Sequence, residues 1–387
     1  MARLATGIFL GLALAGLQGA IAKAQTPSVA SPVKIAIVGP FSGRSAEAGE
    51  RVGSAVRIAV EEANEAGGLF GKPIEIAIGD DEGQPEKSTI VAQRLIDDAS
   101  VLGVIGPMNS GAALAAGPLY NRARLPFLTP TATNPRITEQ GWAVAFRVAG
   151  RDDNEGPAAA MFIADDLKPK KVLAISDKTA FQAGIVQEVA RKLKERGVEV
   201  IIEEVNDQDR DLAPLVTRIK SSGADVVYLG MVAAQASLLL KQSAQAGVTF
   251  KAVGNGSARE RELFIKASTG NAEGVYITYN ARDPRTVPEA KAFIEKFEKR
   301  INKSVSAYEP QAYDATKILI KAIQKAGVKD GKVARADVVA AIKAERDYPA
   351  IMGVKVTFDA KGDIAAAPIS VFRVEKDDFV FVRAVTP

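Results

Sequence analysis

The stretch that decides the fold is VKIAIV at residues 33–38, a short run of apolar and β-branched residues that a Gly-Pro pair ends. An amphipathic run follows at residues 50–66, where apolar side chains recur at three- and four-residue steps until Gly67 and Gly68 stop the pattern. The first run has the composition of a strand, and the second has the periodicity of a helix. A strand followed by a helix of this length is the first half of a βαβ unit.

The same alternation continues along most of the chain. Further strands are predicted from the short apolar runs at residues 73–78, 101–105, 126–128, 171–175, 198–203, 225–228 and 250–253. Helices are predicted from the amphipathic runs at residues 85–99, 111–122, 182–196, 212–222 and 233–247. Such βαβ units build a parallel sheet with helices on both faces. Because the alternation occurs once before about residue 150 and once after it, we predict an α/β fold with two doubly wound parallel-sheet lobes.

The last third of the chain follows a different pattern. Three helices with little strand between them are predicted at residues 288–300, 309–326 and 335–344, and a β-hairpin is predicted at residues 366–385. We expect these segments to return to lobes already built, so that the crossings form a hinge of several strands. The predicted domains are lobe 1, with residues 28–150 and 279–364, and lobe 2, with residues 151–278 and 365–387.

The first 24 residues predict a cleavable secretory signal peptide. A positive start precedes an apolar run at residues 4–21, and the small residues Ala22 and Ala24 fit the positions that a signal peptidase reads. The alternative is an anchor that stays attached, because the apolar run is about long enough to span a bilayer. Since the chain contains no cysteine, export to a bacterial periplasm fits best.

The composition excludes several kinds of function. With neither histidine nor cysteine, the chain cannot build a zinc site of Cys and His ligands, a thiol nucleophile or a Ser-His-Asp relay. No G-x-S-x-G motif or Walker loop occurs, and Asp80 and Asp81 lack the partners of a metal cage, so we predict no catalytic residue, metal or cofactor. A net charge of +4 and an aromatic fraction of 6% argue against a nucleic-acid partner. A hydrolase that relies on carboxylates is the enzymatic alternative. The charged run at residues 259–262 is interpreted as a solvated helix face.

Three loops follow neighbouring strands of the first predicted lobe. They are GPFSGR at 39–44, with Phe41 and Arg44, GPMNSG at 106–111, with Asn109 and Ser110, and TPTATN at 129–134. Each loop alone has a simpler interpretation, as a tight turn or, for Ser110, as the N-cap of the helix that follows. Because open α/β sheets bind ligands outside the carboxyl ends of their strands, the loops converge on one crevice. Hydroxyls and free N–H groups there favour an anion the size of a carboxylate.

Several motifs, taken in order, resemble the Leu/Ile/Val-binding proteins of ABC transporters. They are VKIAIVGPFSG at 33–43, NEAGGLFGK at 64–72, VIGP at 104–107, TPTAT at 129–133, FR at 146–147 and YDA at 313–315. The resemblance covers essentially the whole mature chain. It implies a type I periplasmic binding fold with a three-strand hinge, and a monomer that captures an amino acid or related small carboxylate by hinge closure for a membrane permease. A ligand-sensing regulatory module of the same fold is the alternative.

The resemblance also implies a set of ligand-binding residues. A clamp on the ligand carboxylate would use the hydroxyls of Ser110 and Thr133 and the backbone N–H groups of Thr131 and Thr133. Phe181 matches the position of an aromatic side chain that covers the ligand from the second lobe, and Tyr308 falls near an aromatic contact of the first. For both aromatic residues the simpler interpretation is core packing.

One position departs from the family pattern. Relatives that take amino acids usually place an acidic residue in the loop that here reads GNGS at 254–257, as counter-charge for the ligand ammonium, whereas this chain has Asn255. Burying an unpaired ammonium is expensive. Aromatic or short aliphatic acids that lack an amine therefore become candidates for the ligand. Arg44 and Arg151, near the rim or hinge, could pair with a second acidic group or form surface ion pairs.

Overall fold

The computed structural model describes residues 31–43, 45–306, 308–365 and 369–386. These residues form two α/β lobes, each built around a largely parallel sheet, which confirms the predicted fold class. The predicted signal peptide at residues 1–24 lies outside the described residues, and so does Arg44. Within the described ranges, no helix combines the length and the apolar composition that crossing a membrane requires.

Strands and helices follow one another largely in the predicted order, with bounds shifted by a few residues. The strands are β1 (Lys34–Gly39), β2 (Glu75–Asp80), β3 (Val101–Ile105), β4 (Phe127–Thr129), β5 (Ala145–Arg147), β6 (Lys171–Ser176), β7 (Glu199–Glu204), β8 (Val226–Gly230), β9 (Lys251–Gly254), β10 (Tyr276–Tyr279), β11 (Tyr348–Pro349), β12 (Lys355–Val356), β13 (Ile369–Glu375) and β14 (Asp378–Val385). The α-helices are α1 (Ala46–Glu65), α2 (Pro85–Asp97), α3 (Ser110–Arg122), α4 (Arg136–Glu139), α5 (Asp152–Phe162), α6 (Ala180–Glu195), α7 (Ala213–Ser222), α8 (Ala233–Gln245), α9 (Lys291–Ile301), α10 (Glu309–Ala326) and α11 (Arg335–Lys343).

Lobe 1 is built on five parallel strands in the order β2-β1-β3-β4-β5. β1 and β3 are central, and their residues are buried except for Lys34, as expected of parallel strands covered on both faces. α1 packs against α10, and α2 packs against α3. α10 and α11 also contact β3, so these two C-terminal helices pack onto the sheet of lobe 1.

Lobe 2 contains seven strands in the order β14-β13-β10-β9-β8-β6-β7. Alternate residues of β6 face opposite sides: Leu173 and Ile175 belong to an apolar cluster with α7 and α8, and Val172 and Ala174 belong to another with α5 and α6. The strands from β6 to β10 are parallel, whereas β13 runs antiparallel to β10 and β14 antiparallel to β13. The second sheet is therefore mixed, because the predicted C-terminal hairpin joins its edge.

The chain crosses between the lobes three times. The first crossing, residues 148–151, joins β5 to α5, and the second follows β10 and leads to α9. The third lies between Ile364 and β13, and its residues 366–368 are outside the described ranges. A Cβ atom at Gly150 would come within 2.8 Å of the Asn280 Cβ, so the first two crossings run side by side.

Candidate functional site

A cleft of about 540 Å³ lies between the two lobes. The loops after β1, β2, β3 and β4 line it from lobe 1, and the loops after β6, β7, β8 and β9 line it from lobe 2. All of these loops leave the carboxyl ends of parallel strands, where open α/β sheets bind ligands. The cleft brings together five of the predicted site residues: Asn109, Ser110, Thr131, Phe181 and Tyr308.

Two loops of lobe 1 present hydrogen-bond donors to the cleft. Ser110 is the first residue of α3 and Asn109 occupies the N-cap position, which corrects the prediction that Ser110 is the cap. The Ser110 hydroxyl oxygen accepts a long hydrogen bond of 3.4 Å from the Asn134 N–H, which leaves its own proton free to donate. The Thr131 hydroxyl donates to the Met108 carbonyl at 2.5 Å. Its backbone N–H has no acceptor among the described residues and remains available to a ligand.

Thr133 lies one layer below this surface. Its side chain is 1% exposed and is not part of the cleft lining. Its hydroxyl interacts with the buried Asp152 carboxyl, but the pair lacks the geometry of a full hydrogen bond. The Asp152 N–H donates to the Thr133 carbonyl at 3.1 Å. Burial raises the pKa of Asp152 to about 7, so this carboxyl is partly protonated at neutral pH.

Lobe 2 contributes the N-terminus of α6. Thr179 caps this helix through its hydroxyl, which also donates to the Asp177 carboxylate at 2.7 Å. Phe181 follows in the first turn and is partly buried in the cleft wall. Across the cleft, Asn134 Nδ2 donates to the Ala180 carbonyl at 2.9 Å, so the two lobes are in direct contact.

The sequence matches known proteins along most of its length. A model of the family described as periplasmic binding protein matches residues 32–378. The Leu/Ile/Val-binding protein homolog 1 of Brucella suis is 32% identical over 375 residues, which cover 95% of this chain and 96% of that protein. The chain belongs to the periplasmic Leu/Ile/Val-binding protein family. This confirms the resemblance seen in the sequence, and the family consists of substrate-binding proteins rather than enzymes.

Solved structures share the fold of this binding protein. The leucine-binding protein LivK from Thermotoga maritima has a TM-score of 0.83 at 26% sequence identity, covering 92% of this chain and 99% of that chain. A solute-binding protein from R. palustris, solved with benzoate, has a TM-score of 0.83 at 21% identity, covering 92% and 97% respectively. At the lower identity the likeness concerns the fold alone.

Asn255 of the binding protein lies below the cleft surface and is fully buried. Its Nδ2 donates to Gln182 Oε1 at 2.7 Å, and its Oδ1 accepts from the Ser257 hydroxyl at 2.7 Å. The neighbouring Ser257 lines the cleft instead. Opposite this loop, the ring of Tyr308 meets Tyr279 edge to face at 6.1 Å between centroids. The loop after β9 therefore lines the cleft with Ser257 rather than with the amide that the sequence analysis selected, and the Ser257 hydroxyl also accepts from Gln182 Nε2 at 3.0 Å.

Phe41 and Arg151 do not line the cleft in the described structure. Phe41 packs against α1, where a Cβ atom at Gly53 would come within 2.9 Å of its ring. Arg151 pairs with Asp153 at 2.6 Å and with Asp363 at 2.7 Å. Arg44 lies outside the described residues. Of the two arginines considered for a second acidic group, Arg151 is thus already paired within the protein.

Charged residues that the sequence analysis did not select also line the cleft. Arg51 lies 2.6 Å from the Glu309 carboxylate and 3.6 Å from Glu260 of the other lobe. Burial raises the pKa of Glu260 despite the attraction of Arg51. Asp177 accepts hydrogen bonds from Thr179 and from a backbone N–H of the loop after β8. Among the described residues, no group of three or more possible ligands could hold a metal ion.

The interpretation of residues 259–262 as a solvated helix face is wrong for its first two residues. Arg259 is 3% exposed, and its guanidinium lies 4.6 Å from the centroid of the Phe372 ring and 4.9 Å from that of Tyr279. It also donates to the Ser306 carbonyl at 2.7 Å. Glu260 lines the cleft. Aromatic rings from distant strands stabilise the buried guanidinium. These rings are far from residues 259–262 in the sequence, so the local charge pattern does not reveal them.

Proposed function

We propose that this binding protein captures a small carboxylate in its inter-lobe cleft and presents it to the membrane permease of an ABC importer. The observation that carries the proposal is the set of uncharged donors at one end of the cleft: the Ser110 hydroxyl and the Thr131 N–H, beside the N-terminus of α3. Neutral donors and a helix N-terminus bind one negative charge without a cation that would itself need desolvation.

The ligand in this proposal lacks an amine. The loop after β9 lines the cleft with Ser257, whose hydroxyl is bonded to Gln182 and Asn255, and Asn255 itself is buried and bonded internally. The carboxylates elsewhere in the cleft already have partners. Glu309 and Glu260 pair with Arg51, Asp177 accepts from N–H groups, and Asp207 accepts from the Gln208 amide. A ligand ammonium would have to compete with those partners or remain unpaired, which is costly in a closed site. Aromatic and short aliphatic acids avoid that cost.

Closure of the two lobes is the proposed capture step. A ligand that touches both lobes stabilises the closed form by the contacts that the open form cannot make. Moving the closed fraction from one per cent to ninety-nine per cent needs about 5.5 kcal/mol of differential binding. Charge-assisted hydrogen bonds to a carboxylate and the burial of an apolar ligand body can supply this amount.

A thermal-shift screen of the purified mature protein tests the proposed ligand class. The probes are benzoate, 3-methylbutanoate, leucine and valine, so that 3-methylbutanoate and leucine compare similar branched apolar bodies with and without an amine. We expect stabilisation by at least one of the two acids that lack an amine. Strong shifts with leucine or valine, together with none for the other two acids, would overturn the proposal.

Substitution of the donor residues tests the clamp. Ser110→Ala removes one hydroxyl at the cleft surface and should weaken binding of the best probe by about 1–3 kcal/mol, or roughly 5- to 150-fold. Thr133→Ala removes a hydroxyl that lies one layer below the cleft surface and should weaken binding by less. Ser221→Ala and Thr217→Ala, both exposed on α7, are matched controls that should not change affinity by calorimetry. Unchanged affinity in both Ser110→Ala and Thr133→Ala contradicts the clamp.

A further inference from the structure

Arg147, at the end of β5, lies fully buried beneath the loop that carries Thr131 and Thr133. Its Nη1 donates to the Asn134 carbonyl at 2.8 Å and more weakly to the Ala132 carbonyl at 3.4 Å. A planar trans peptide points its C=O and its N–H in opposite directions. Because the Ala132 carbonyl faces the guanidinium, the N–H of Thr133 in the same peptide unit faces away from it.

Arg147 forms an ion pair with Asp363. Arg147 Nε donates to Asp363 Oδ1 at 2.8 Å, and the other Asp363 oxygen accepts from Thr138 and from Arg151, each at 2.7 Å. Asp363 is 4% exposed. Its backbone is fixed as well, since its N–H donates to Asp359 Oδ1 at 2.9 Å. A buried guanidinium is tolerated only with such complete pairing.

These partners belong to different parts of the hinge. Arg151 lies in the first crossing, and Asp363 lies immediately before the third. The chain of contacts therefore runs from the carbonyls of the loop after β4, through Arg147 and Asp363, to Arg151. None of these three side chains lines the cleft among the described residues, so none is expected to touch a ligand.

We propose that Arg147 is a positioning residue that orients the carboxylate-binding loop and, through Asp363, couples it to two of the three crossings. This inference rests on the proposed function. The guanidinium polarises the Ala132–Thr133 peptide, which strengthens its N–H as a donor to a ligand anion. A bound anion in turn stabilises the loop conformation in which Asp363 and Arg151 keep their contacts. Ligand binding and the relative orientation of the two lobes are therefore coupled.

A lysine at position 147 keeps the charge but loses the planar fork of donors that bridges the two carbonyls and Asp363. Arg147→Lys should raise the Kd of the best probe, measured by calorimetry, at least 10-fold while circular dichroism stays native. Arg335→Lys is the matched control, because Arg335 is a partly buried arginine that also donates to lobe 1 carbonyls, at Val101 and Asp98, away from the cleft. A folded Arg147→Lys protein whose Kd stays within twofold of the control overturns the inference.

Asp363→Asn tests the coupling between the carboxylate-binding loop and the crossings. It also replaces Arg147→Lys as the test if that variant does not fold. Small-angle scattering should show less compaction by saturating probe in Asp363→Asn than in the parent protein. Backbone hydrogen exchange in ligand-free Asp363→Asn should be at least threefold faster than in ligand-free Arg335→Lys. The increase should occur both at residues 129–134 and at residues 148–151. Unchanged exchange in either segment refutes the coupling. If none of the four probes stabilises the parent protein in the thermal-shift screen, the proposed function is refuted instead. The comparison of hydrogen exchange between Asp363→Asn and Arg335→Lys needs no ligand and still tests the role of Arg147.

Discussion

Glu155 shows how a single residue of this protein departs from its usual chemistry. Its carboxyl group is fully buried, Oε1 accepts from the Gly256 N–H at 3.1 Å and from the Thr278 hydroxyl at 2.9 Å, and Oε2 has no partner among the described residues. Burial, aided by the nearby Asp152, raises the pKa of Glu155 to about 8. This side chain therefore holds its proton at neutral pH and behaves as a neutral hydrogen-bonding group.

Glu155→Gln should stabilise the protein at alkaline pH. The amide oxygen can accept the same two hydrogen bonds, and the neutral side chain removes a penalty that grows from about pH 4, where the carboxyl ionises in the unfolded chain, to about pH 8, where it ionises in the folded chain. We expect the gain in the free energy of unfolding in urea to be larger at pH 8.5 than at pH 5.5 by at least about 1 kcal/mol. Glu86→Gln, at an exposed position of α2, is the control. A gain of equal size at both pH values would contradict this explanation.

The sequence predicts which loops line the cleft, but not which side chain of each loop faces it. It places Ser110 and Thr131 at strand ends, and both line the cleft. It does not reveal that Arg151 is paired with Asp363, because 212 positions separate them. Glu260 was missed because its position in the cleft depends on Arg51 of the other lobe. Which side chain of a loop faces the cleft is fixed by distant partners, and a local pattern cannot contain them.

Two helix N-termini approach each other across the cleft and allow the closed form to be locked. A Cβ atom added at Gly111, in the first turn of α3, would lie 3.8 Å from the Cβ of Ala180, the first residue of α6. Disulfide-bonded cysteines have Cβ atoms about 3.5–4.5 Å apart, and the chain has no native cysteine that could compete. The double variant Gly111→Cys with Ala180→Cys should therefore oxidise to a single intramolecular disulfide.

The disulfide should prevent the lobes from opening and so retain a probe loaded before oxidation. Small-angle scattering should then show the same radius of gyration with and without probe, and a reductant should restore both exchange and compaction. The two single-cysteine variants are controls. Free thiols that persist after oxidation, or compaction by probe in the oxidised protein, would show that α3 and α6 do not meet in this way.

At the scale of elements, the sequence predicts the helices and strands whose apolar residues recur at a regular spacing. It does not predict those without such a spacing. α1 and α10 show apolar faces that match their packing against each other. α5, with the sequence DDNEGPAAAMF, is buried on most sides, so no amphipathic period marks it. β5 has three residues and β10 has four, too few to show alternation. The first two crossings begin or end at these elements, so periodicity alone does not mark them.

Buried acids make the stability of the whole molecule depend on pH in an unusual direction. Burial raises the pKa to about 6 for Asp81, to about 7 for Asp152 and Asp314, and to about 8 for Glu155. These groups lie in both lobes and at the hinge. Acids with a lowered pKa act in another range: hydrogen bonds from Ser100 and Lys34 bring the pKa of Asp98 to about 2. The contribution of such acids to the free energy of unfolding is lost only in strong acid.

Between about pH 4 and pH 8 the folded chain should bind more protons than the unfolded chain, because the raised groups keep their protons only in the folded state. The free energy of unfolding should therefore fall as the pH rises through this window, by at most about 1.4 kcal/mol per pH unit for each group that titrates. Urea unfolding from pH 4.5 to pH 8.5 should give the highest stability at pH 4.5, and Glu155→Gln should flatten the decline toward pH 8. A stability that is constant or increases from pH 5 to pH 8 would mean that these carboxyls are ionised in the folded state.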